Sequence, residues 1–293
     1  MASALPKVLH PVAGSPMVLR VLEQCRKAGA GEIRVVVGFG EALVRQVVEP
    51  SGGVCFRQVD QKGTGDAVRA AQPETLEGPV LILNGDHPLI EAEDIKKIVE
   101  NFKETSKDIT LVTARLKTPG SYGRIVRQGG DVRAIVEAKD ASADTLKIKE
   151  VNTGIYMLDA KLLNKLLPLV QNKNAQGEYY LTDIISLGME SGTKVNGLVL
   201  NSRVATGVNS QAELSKATGR VYARKAKQLL DAGVMIIDPK NTYIEDSVEV
   251  GASTVIYPGC FLKGRTKIGQ FCVLEPNCFI NHALIEDSVQ IRA

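Results

Sequence analysis

The sequence predicts an α/β protein in which a helix-covered sheet is followed by a long helix and then by a parallel β-helix. Three observations support this order. Short aliphatic runs alternate with helical patterns over the first two hundred residues, a mostly polar helical stretch spans about 210–233, and an aliphatic residue then recurs at every sixth position. We expect domain boundaries at 1–208, 209–233 and 234–293.

Short aliphatic runs predict the buried strands of the sheet, at 33–37, 80–83, 109–112 and 154–158. Because helical patterns separate these runs, we expect a mainly parallel sheet with helices on both faces. Ligands of such sheets bind at the carboxyl ends of the strands, which directs attention to the loops after Val37 and Leu83. The helical patterns are rows of apolar residues, namely Val18, Leu22 and Cys25, then Ile95, Ile98 and Phe102, then Leu162, Leu163, Leu166 and Leu167.

The stretch 210–233 predicts a long and largely exposed helix, because most of its residues are polar or charged. We expect the helix to end at Ala232 and Gly233, since glycine is favoured just beyond the last helical turn. The apolar residues that keep a rough helical period in this stretch are Leu214, Ala217, Val221 and Leu229.

The last sixty residues carry a repeat of six, a period that fits a β-helix with one hexad on each face of a coil. Small side chains mostly stand four positions after each aliphatic one. The phase slips near the end, where Glu286 takes the next aliphatic place and Ile285 and Ile291 resume the spacing. The sequence stops at Ala293 in mid-repeat, without the cap that a solenoid needs. The aliphatic positions are Ile244, Val250, Ile256, Leu262, Ile268, Leu274 and Ile280.

Composition excludes several classes of function. The formal charge of +3 is too small to favour nucleic acid or an anionic membrane surface, and 4% aromatic residues without Trp offer little for base stacking. Three histidines leave little room for a His-rich metal centre. Five cysteines without a Cys-x-x-Cys pair favour a reducing cytoplasm. The sequence also has no apolar run of ~18 residues and no signal-like start, so we expect a cytoplasmic protein.

Two segments near the start are candidates for binding a nucleotide. Lys7 precedes a helix expected to begin near Pro16, where a cation could face a phosphate, although an ordinary surface lysine is the favoured alternative from this segment alone. The turn 58–66 contains Gly63, and its backbone amides could approach a ligand closely. There Gln58 could read a base edge. The alternative is a plain strand-to-helix turn capped by Thr64 or Asp66.

A buried strand ends at Asn84, Gly85 and Asp86, and this ending favours a metal site. A carboxylate at the carboxyl end of a strand is well sited to hold Mg²⁺ beside a phosphate, because Mg²⁺ takes oxygen ligands. The alternative is that Asp86 caps the following helix. The neighbouring His87 is expected to be structural or exposed rather than catalytic.

Polar clusters occur at four further strand ends, at 121–124, 135–140, 151–154 and 206–209. Each one separately is better explained by turn chemistry. Together they offer a glycine, a carboxylate and amides that suit sugar hydroxyls and an acetamido group.

Taken in order, these motifs resemble the bacterial bifunctional N-acetylglucosamine-1-phosphate uridyltransferase/glucosamine-1-phosphate N-acetyltransferases over essentially the whole chain. The hexads alone would indicate only some β-helix protein. The most specific piece is Asn-Ala-Gln-Gly-Glu-Tyr-Tyr-Leu-Thr-Asp at 174–183. The other pieces are Leu-Pro-Lys-Val-Leu-His at 5–10, Gln-x-x-Gln-x-Gly-Thr-Gly at 58–65, Gly-Asp-x-Pro-Leu-Ile at 85–90, Tyr-Gly-Arg-Ile-Val at 122–126, Ile-Val-Glu-x-Lys-Asp at 135–140, Asn-Thr-Gly-Ile at 152–155 and Gly-Val-Asn at 207–209.

The resemblance implies a Rossmann-like nucleotidyltransferase domain of the pyrophosphorylase type, a helical arm and a left-handed β-helix that forms trimers. The implied reaction joins UTP and N-acetylglucosamine 1-phosphate into UDP-N-acetylglucosamine and releases pyrophosphate, with Mg²⁺ as cofactor and no nucleic acid or membrane as partner.

The resemblance also implies roles for individual residues. Lys7 would be catalytic and would sit beside the phosphates, and Gln58 would contact uracil with help from Gly63 and Thr64. Asn84, Gly85 and Asp86 would line the nucleotide site, and Asp86 and Asn209 would ligate Mg²⁺. The residues expected to hold the amino sugar are Gly123, Glu137 and Asn152.

Two departures from the family pattern concern the ends of the sequence. Family members begin with a strand and a Leu-Ala-Ala-Gly-x-Gly-Thr-Arg loop, the main phosphate cradle, before the equivalent of Met1, and both are absent here. The later coils that hold the acetyltransferase site are absent too. We therefore expect a chain truncated at both ends, with at best weak uridyltransferase activity and no acetyltransferase activity.

Three alternatives remain open from the sequence. One is a pyrophosphorylase for another sugar or nucleotide, and another is a non-catalytic nucleotide-binding or oligomerisation module. A dinucleotide dehydrogenase is weaker, because Gly38 and Gly40 follow a strand but Leu43 stands where Gly-x-Gly-x-x-Gly requires glycine.

Overall fold

A computed structural model describes residues 1, 3–174 and 176–292. Within it the chain divides into two compact units. Residues 2–9 and 17–207 form the sheet unit, and residues 1, 10–16 and 208–293 form the β-helix unit. In chain order, the first strands, β1 (Pro11–Val12) and β2 (Ser15–Pro16), pair antiparallel and belong to the β-helix unit. Among the described residues, no helix is long and apolar enough to span a membrane.

The sheet unit contains seven of the described helices and eight of the described strands. The helices are α1 (Met17–Lys27), α2 (Glu41–Val48), α3 (Thr64–Ala70), α4 (Ala92–Glu104), α5 (Ala143–Leu146), α6 (Ala160–Leu166) and α7 (Asp183–Glu190). The strands are β3 (Arg34–Val37), β4 (Val54–Arg57), β5 (Pro79–Ile82), β6 (Ile109–Arg115), β7 (Arg124–Gln128), β8 (Asp131–Val136), β9 (Glu150–Asp159) and β10 (Val195–Leu200).

The main sheet is mixed, so the expectation of a mainly parallel sheet is wrong. Its order is β10-β6-β9-β7-β8, with β5 also paired to β9. Only β10 and β6 pair in parallel within it, whereas β9 runs antiparallel to β5, β6 and β7. The reason lies between β6 and β9, where the chain makes the β7–β8 hairpin through Gly129 and Gly130, both at positive φ, instead of a helical crossover. Strands β3 and β4 form a separate parallel pair.

Helices cover both faces of the main sheet, as the sequence predicts. Strand β9 is buried along most of its length, and alternate side chains enter opposite layers of the core. Ile155 and Met157 pack in a cluster that contains Ile98 of α4. Tyr156 and Leu158 pack in another cluster with residues of α6 and α7. This central strand therefore holds the adjoining loops on a rigid base.

The C-terminal part of the β-helix unit contains a long helix, α8 (Gln211–Asp231), ahead of the coils. Ser210 caps the start of α8 by accepting a hydrogen bond from the Glu213 N–H, and the Glu213 side chain completes the capping box. The predicted end of this helix is confirmed, because Ala232 is the C-cap and Gly233 has a φ of 88°.

Three parallel sheets form the faces of the predicted β-helix. Ile244 pairs with Leu262 and Leu262 with Ile280, so one turn takes 18 residues, or three hexads. The last described coil takes 17, since Ile268 pairs with Ile285, and this accounts for the slip in phase. Ala293 lies outside the described residues, and left-handedness stays a prediction. The strands are β11 (Met235–Ile236), β12 (Tyr243–Ile244), β13 (Glu249–Val250), β14 (Val255–Ile256), β15 (Phe261–Lys263), β16 (Lys267–Ile268), β17 (Val273–Leu274), β18 (Phe279–Asn281), β19 (Leu284–Ile285) and β20 (Gln290–Ile291).

Candidate functional site

The loop that follows β5 carries a carboxylate, Asp86, which pairs with a cation from near the start of the chain. Lys7 lies in a short 3₁₀ turn, Lys7–Leu9, and its Nζ donates a hydrogen bond to Asp86 Oδ2. The Lys7 side chain is 37% exposed and that of Asp86 is 21% exposed, so both remain reachable from solvent. The Lys7 ammonium group thus meets a strand-end carboxylate, and its place beside the phosphates of a nucleotide stays a prediction.

His87 stands beside this pair and is buried. Its Nδ1 lies 2.9 Å from the carbonyl oxygen of Val204, and its Nε2 lies 3.7 Å from Asp86 Oδ1. Burial lowers the pKa of His87, although the charge of Asp86 opposes that shift. Within the described part of the chain, no group of three or more His, Cys, Asp or Glu side chains is placed to hold a metal ion.

Asn84 connects the loop after β5 to strand β9. Its Nδ2 donates a hydrogen bond to the carbonyl oxygen of Thr153 at 3.3 Å. Gly154 is required beside it, because its φ is +74° and a Cβ there would lie 2.6 Å from Asn84 Nδ2. Gly85 has no such steric requirement, since a Cβ there would make only an ordinary contact with Val8 at 3.6 Å.

Gly123 lies next to both Glu137 and Asn152, and the shared role of these three residues in holding the amino sugar stays a prediction. The Asn152 N–H donates to the Gly123 carbonyl at 2.9 Å, and a Cβ on Gly123 would lie 3.2 Å from Glu137 Oε1. The Asn152 side chain is held in place, because its Nδ2 donates to the Tyr156 hydroxyl at 2.9 Å and its Oδ1 accepts from the Gly154 N–H. Burial raises the pKa of Glu137, and the charges of Asp140 and Asp183 add to the shift.

Glu137 also lines an open cavity of about 600 Å³. Asp140, Tyr180, Thr182 and Asp183 contribute further polar groups to its wall. Burial raises the pKa of Asp183 as well. Sequence reasoning missed Tyr180 and Asp183 as lining residues. Both residues lie at the end of the 174–183 motif, which was used only to identify the family. The specificity of that motif could also have indicated that its residues line a site.

The turn at 58–66 is held by its own side chains rather than by a helix cap. Gln58 Nε2 donates to the Gly63 carbonyl at 3.0 Å and to Asp66 Oδ2 at 2.7 Å. The alternative in which Thr64 or Asp66 caps α3 is not what the structure has, because the N-cap is Gly63 without a side-chain bond. The bonds to Gly63 and Asp66 engage the amide nitrogen of Gln58, and a contact of this residue with uracil stays a prediction.

The 174–183 motif packs on this turn through its backbone. The Tyr179 N–H donates to the Lys62 carbonyl at 2.8 Å, and the Gly65 N–H donates to the Tyr179 carbonyl at 2.7 Å. A Cβ on Gly63 would come within 2.7 Å of the Tyr179 carbonyl oxygen, so glycine is needed there for packing. Thr64 Oγ1 accepts from the Leu181 N–H. Ala175 of this motif lies outside the described residues.

Asn209 belongs to the β-helix unit, immediately before α8. Its backbone N–H donates to Glu213 Oε2 at 2.7 Å, beside the capping box. Its role as a metal ligand together with Asp86 stays a prediction.

Comparison with known proteins gives a consistent family. The model of the nucleotidyl transferase family matches residues 1–203. The bifunctional protein GlmU of Bdellovibrio bacteriovorus is 57% identical over 292 residues, which are 100% of this chain and 64% of that protein. The bifunctional protein GlmU of Carboxydothermus hydrogenoformans is 42% identical over 99% of this chain and 66% of its own length. The chain thus spans about two thirds of the length of these relatives.

Among solved structures, the chain is similar to a Bacillus anthracis protein assigned as a glucose-1-phosphate thymidylyltransferase, determined in complex with sucrose. The TM-score is 0.59 at 19% identity, and the match covers 74% of this chain and 87% of that one. At this identity the likeness concerns the fold alone.

Proposed function

This chain belongs to the nucleotidyl transferase family, and on that premise we propose that it transfers the uridyl group of UTP to N-acetylglucosamine 1-phosphate. The products are UDP-N-acetylglucosamine and pyrophosphate. The observation that carries the proposal is the bond from Asn84 Nδ2 to the Thr153 carbonyl. It joins the loop of Asp86, which pairs with Lys7 and is suited to phosphate, to the strand of Asn152, which is suited to sugar.

The reaction needs positioning and charge neutralisation more than covalent help from the protein. A phosphate oxygen of the sugar phosphate attacks the α-phosphorus of UTP in line, and the bond to the bridging oxygen of pyrophosphate breaks. Several negative charges approach one another in this step, so the Lys7 ammonium group stabilises the transition state. Glu137 and Asn152 orient the sugar so that its phosphate meets UTP in a reactive geometry.

Nucleotidyl transferases of this family generally use a divalent metal, and we propose Mg²⁺ held by Asp86 and Asn209. The donor chemistry fits, because both side chains offer oxygen atoms and Mg²⁺ prefers oxygen ligands. Asp86 already pairs with a cation, because its Oδ2 accepts a hydrogen bond from the Lys7 ammonium group. When bound, the ion would supply charge neutralisation at the phosphates.

A substrate panel tests the reaction. We expect pyrophosphate release to be fastest with UTP and N-acetylglucosamine 1-phosphate, compared with dTTP, ATP or CTP and with glucose 1-phosphate or glucosamine 1-phosphate. A preference for dTTP or for glucose 1-phosphate would assign another sugar-nucleotide pyrophosphorylase. Nucleotide binding measured by calorimetry without any turnover would assign the non-catalytic module instead.

We further propose that the chain forms a homotrimer in the cytoplasm through its β-helix unit. That unit exposes large apolar side chains, among them Phe261, Phe271, Phe279 and Leu284. All five cysteines are free thiols, which suits a reducing compartment. Light scattering coupled to size exclusion should give three times the chain mass, and a monomer mass would contradict the trimer.

A further inference from the structure

The ring of His87 is fixed in one orientation. Its Nδ1 lies 2.9 Å from the Val204 carbonyl oxygen, and a carbonyl can only accept a hydrogen bond. Nδ1 therefore carries the ring proton in the neutral imidazole, and Nε2 carries the lone pair. Because the side chain is only 9% exposed, the ring has little freedom to turn away.

The lone pair of His87 Nε2 faces the lone pairs of a carboxylate oxygen of Asp86. Asp86 Oδ1 lies 3.7 Å away, whereas the other oxygen, Oδ2, accepts the hydrogen bond from Lys7 Nζ. Two electron donors on neighbouring residues repel each other unless a positive charge lies between them. Adjacent ligands of a six-coordinate ion with bonds of about 2.1 Å stand roughly 3 Å apart, so a small rotation of the Asp86 side chain towards the fixed ring would let both bind one cation.

We propose that His87 Nε2 is a ligand of the divalent metal that Asp86 holds, and that it shifts the preference of the site from Mg²⁺ towards transition-metal ions such as Co²⁺. This inference rests on the proposed function, which places a metal at Asp86. Its own support is the ring anchored through Nδ1–H to a carbonyl, an arrangement that orients metal-binding histidines in many proteins. Imidazole nitrogen binds Co²⁺ or Ni²⁺ better than Mg²⁺, which favours oxygen.

The chain offers well-matched variants for a test. His87→Asn keeps an amide donor near the position of Nδ1 and removes Nε2. His282→Asn removes an exposed histidine of the β-helix unit and serves as the control for adventitious binding. Asp86→Asn removes the carboxylate and tests the metal site of the proposed function independently.

The probe is Mn²⁺ bound to the full chain in the presence of UTP, observed by pulsed electron paramagnetic resonance. We expect nitrogen coupling from a directly bound imidazole in the unmodified chain and in His282→Asn, and its loss in His87→Asn. Displacement of Mn²⁺ by Co²⁺ and by Mg²⁺ then gives the preference. We expect His87→Asn to weaken Co²⁺ binding about tenfold, or about 1.4 kcal/mol, and Mg²⁺ binding less than about twofold.

The outcomes separate this inference from the proposed function. Mn²⁺ that binds through Asp86 but shows no imidazole coupling in the unmodified chain would overturn the role of His87 and leave the metal at Asp86 intact. Mn²⁺ binding that survives Asp86→Asn, or no binding at all with UTP present, would overturn both. The coupling in the unmodified chain needs no variant, so a folding defect in His87→Asn cannot hide the answer.

Discussion

At the scale of single residues, Gly154 leaves room for the side chain of Asn84 because it has no Cβ. Its φ of +74° favours glycine, and the space where a Cβ would stand is filled by Asn84 Nδ2. Gly78 has nearly the same φ, +72°, but open space around it. The two glycines therefore separate the cost of backbone conformation from the cost of a steric clash.

We predict that Gly78→Ala lowers the free energy of unfolding by about 1 kcal/mol, the usual cost of a left-handed residue with a Cβ. Gly154→Ala should lower it by a further ~1–3 kcal/mol, because the new methyl group must displace Asn84. Urea unfolding of both variants measures the difference. Equal losses would mean that Asn84 moves aside freely.

In the proposed function Glu137 binds the sugar phosphate. We predict that Glu137→Gln raises the KM for the sugar phosphate at least about tenfold and leaves the KM for UTP nearly unchanged, since a charged hydrogen bond is lost. Glu190→Gln, on an exposed position at the end of α7, is the control. An unchanged KM for the sugar phosphate in Glu137→Gln would remove Glu137 from the site.

The same residue sets an expected pH dependence. Burial, with Asp140 and Asp183 nearby, raises the pKa of Glu137, so it takes up a proton at a higher pH than an ordinary glutamate. The KM for the sugar phosphate should therefore rise as the pH falls, beginning above the usual carboxyl range. Glu137→Gln should abolish that rise, and a rise that persists in the variant would assign it to another group.

At the scale of elements, one ion pair ties neighbouring strands of the main sheet together. Glu150 of β9 accepts hydrogen bonds from Arg127 of β7 and from Thr113 of β6. Arg127 also donates to the Gly197 carbonyl of β10 at 2.9 Å. Burial tends to raise the pKa of Glu150, but the bonds from Arg127 and Thr113 outweigh it and lower that pKa.

We predict that Glu150→Gln lowers the free energy of unfolding by about 2 kcal/mol at neutral pH, because it leaves Arg127 without its countercharge. A carboxyl whose pKa is lower in the folded state stabilises above its unfolded pKa of about 4.3. The difference in free energy of unfolding between the unmodified chain and Glu150→Gln should therefore shrink as the pH falls below that value.

Urea unfolding between pH 7 and pH 3.5 measures this loss. The control is Glu249→Gln, which removes one half of an exposed pair with Lys267, and it should change stability by less than about 0.5 kcal/mol. A difference between the unmodified chain and Glu150→Gln that stays constant with pH would contradict the ion-pair origin.

Elements with a local period were predictable, and the direction of the central strand was not. An aliphatic residue at every sixth position indicated the coils of the β-helix. Apolar residues at helical spacing indicated α1, α4 and α6. The run at 154–158 looks the same whether the strand is parallel or antiparallel to its neighbours, because burial on both faces removes any alternation. Only the path through the β7–β8 hairpin set the direction of β9.

At the scale of the whole molecule, buried cysteines occur in both units. Cys25 and Cys55 lie in the sheet unit, and the other three fill small-residue places of the β-helix. Burial raises the pKa of the Cys25 thiol to about 11, and it also raises the pKa values of the Cys55, Cys260 and Cys278 thiols. Reactive thiolate is thus scarce in the folded state.

We predict that the native chain resists a thiol reagent at pH 8 over the time in which an unfolded chain reacts completely. All five thiols should react after denaturation, and none should react rapidly before it. Mass spectrometry of the labelled chain counts them. Rapid modification of Cys260 or Cys278 in the native chain would show that the β-helix opens.

The sequence by itself determined the parts whose information is local: four strands of the sheet unit, the helices with a clear apolar row, the six-residue repeat with its slip, and the motifs that indicated the family. The tertiary structure decided which of those motifs meet. It brought Lys7 to Asp86, Asn84 to Thr153 and Tyr179 to Lys62, and it buried His87 with its Nε2 towards Asp86. The physical reason is that contacts between distant residues depend on strand direction and backbone pairing, which no single stretch of sequence encodes.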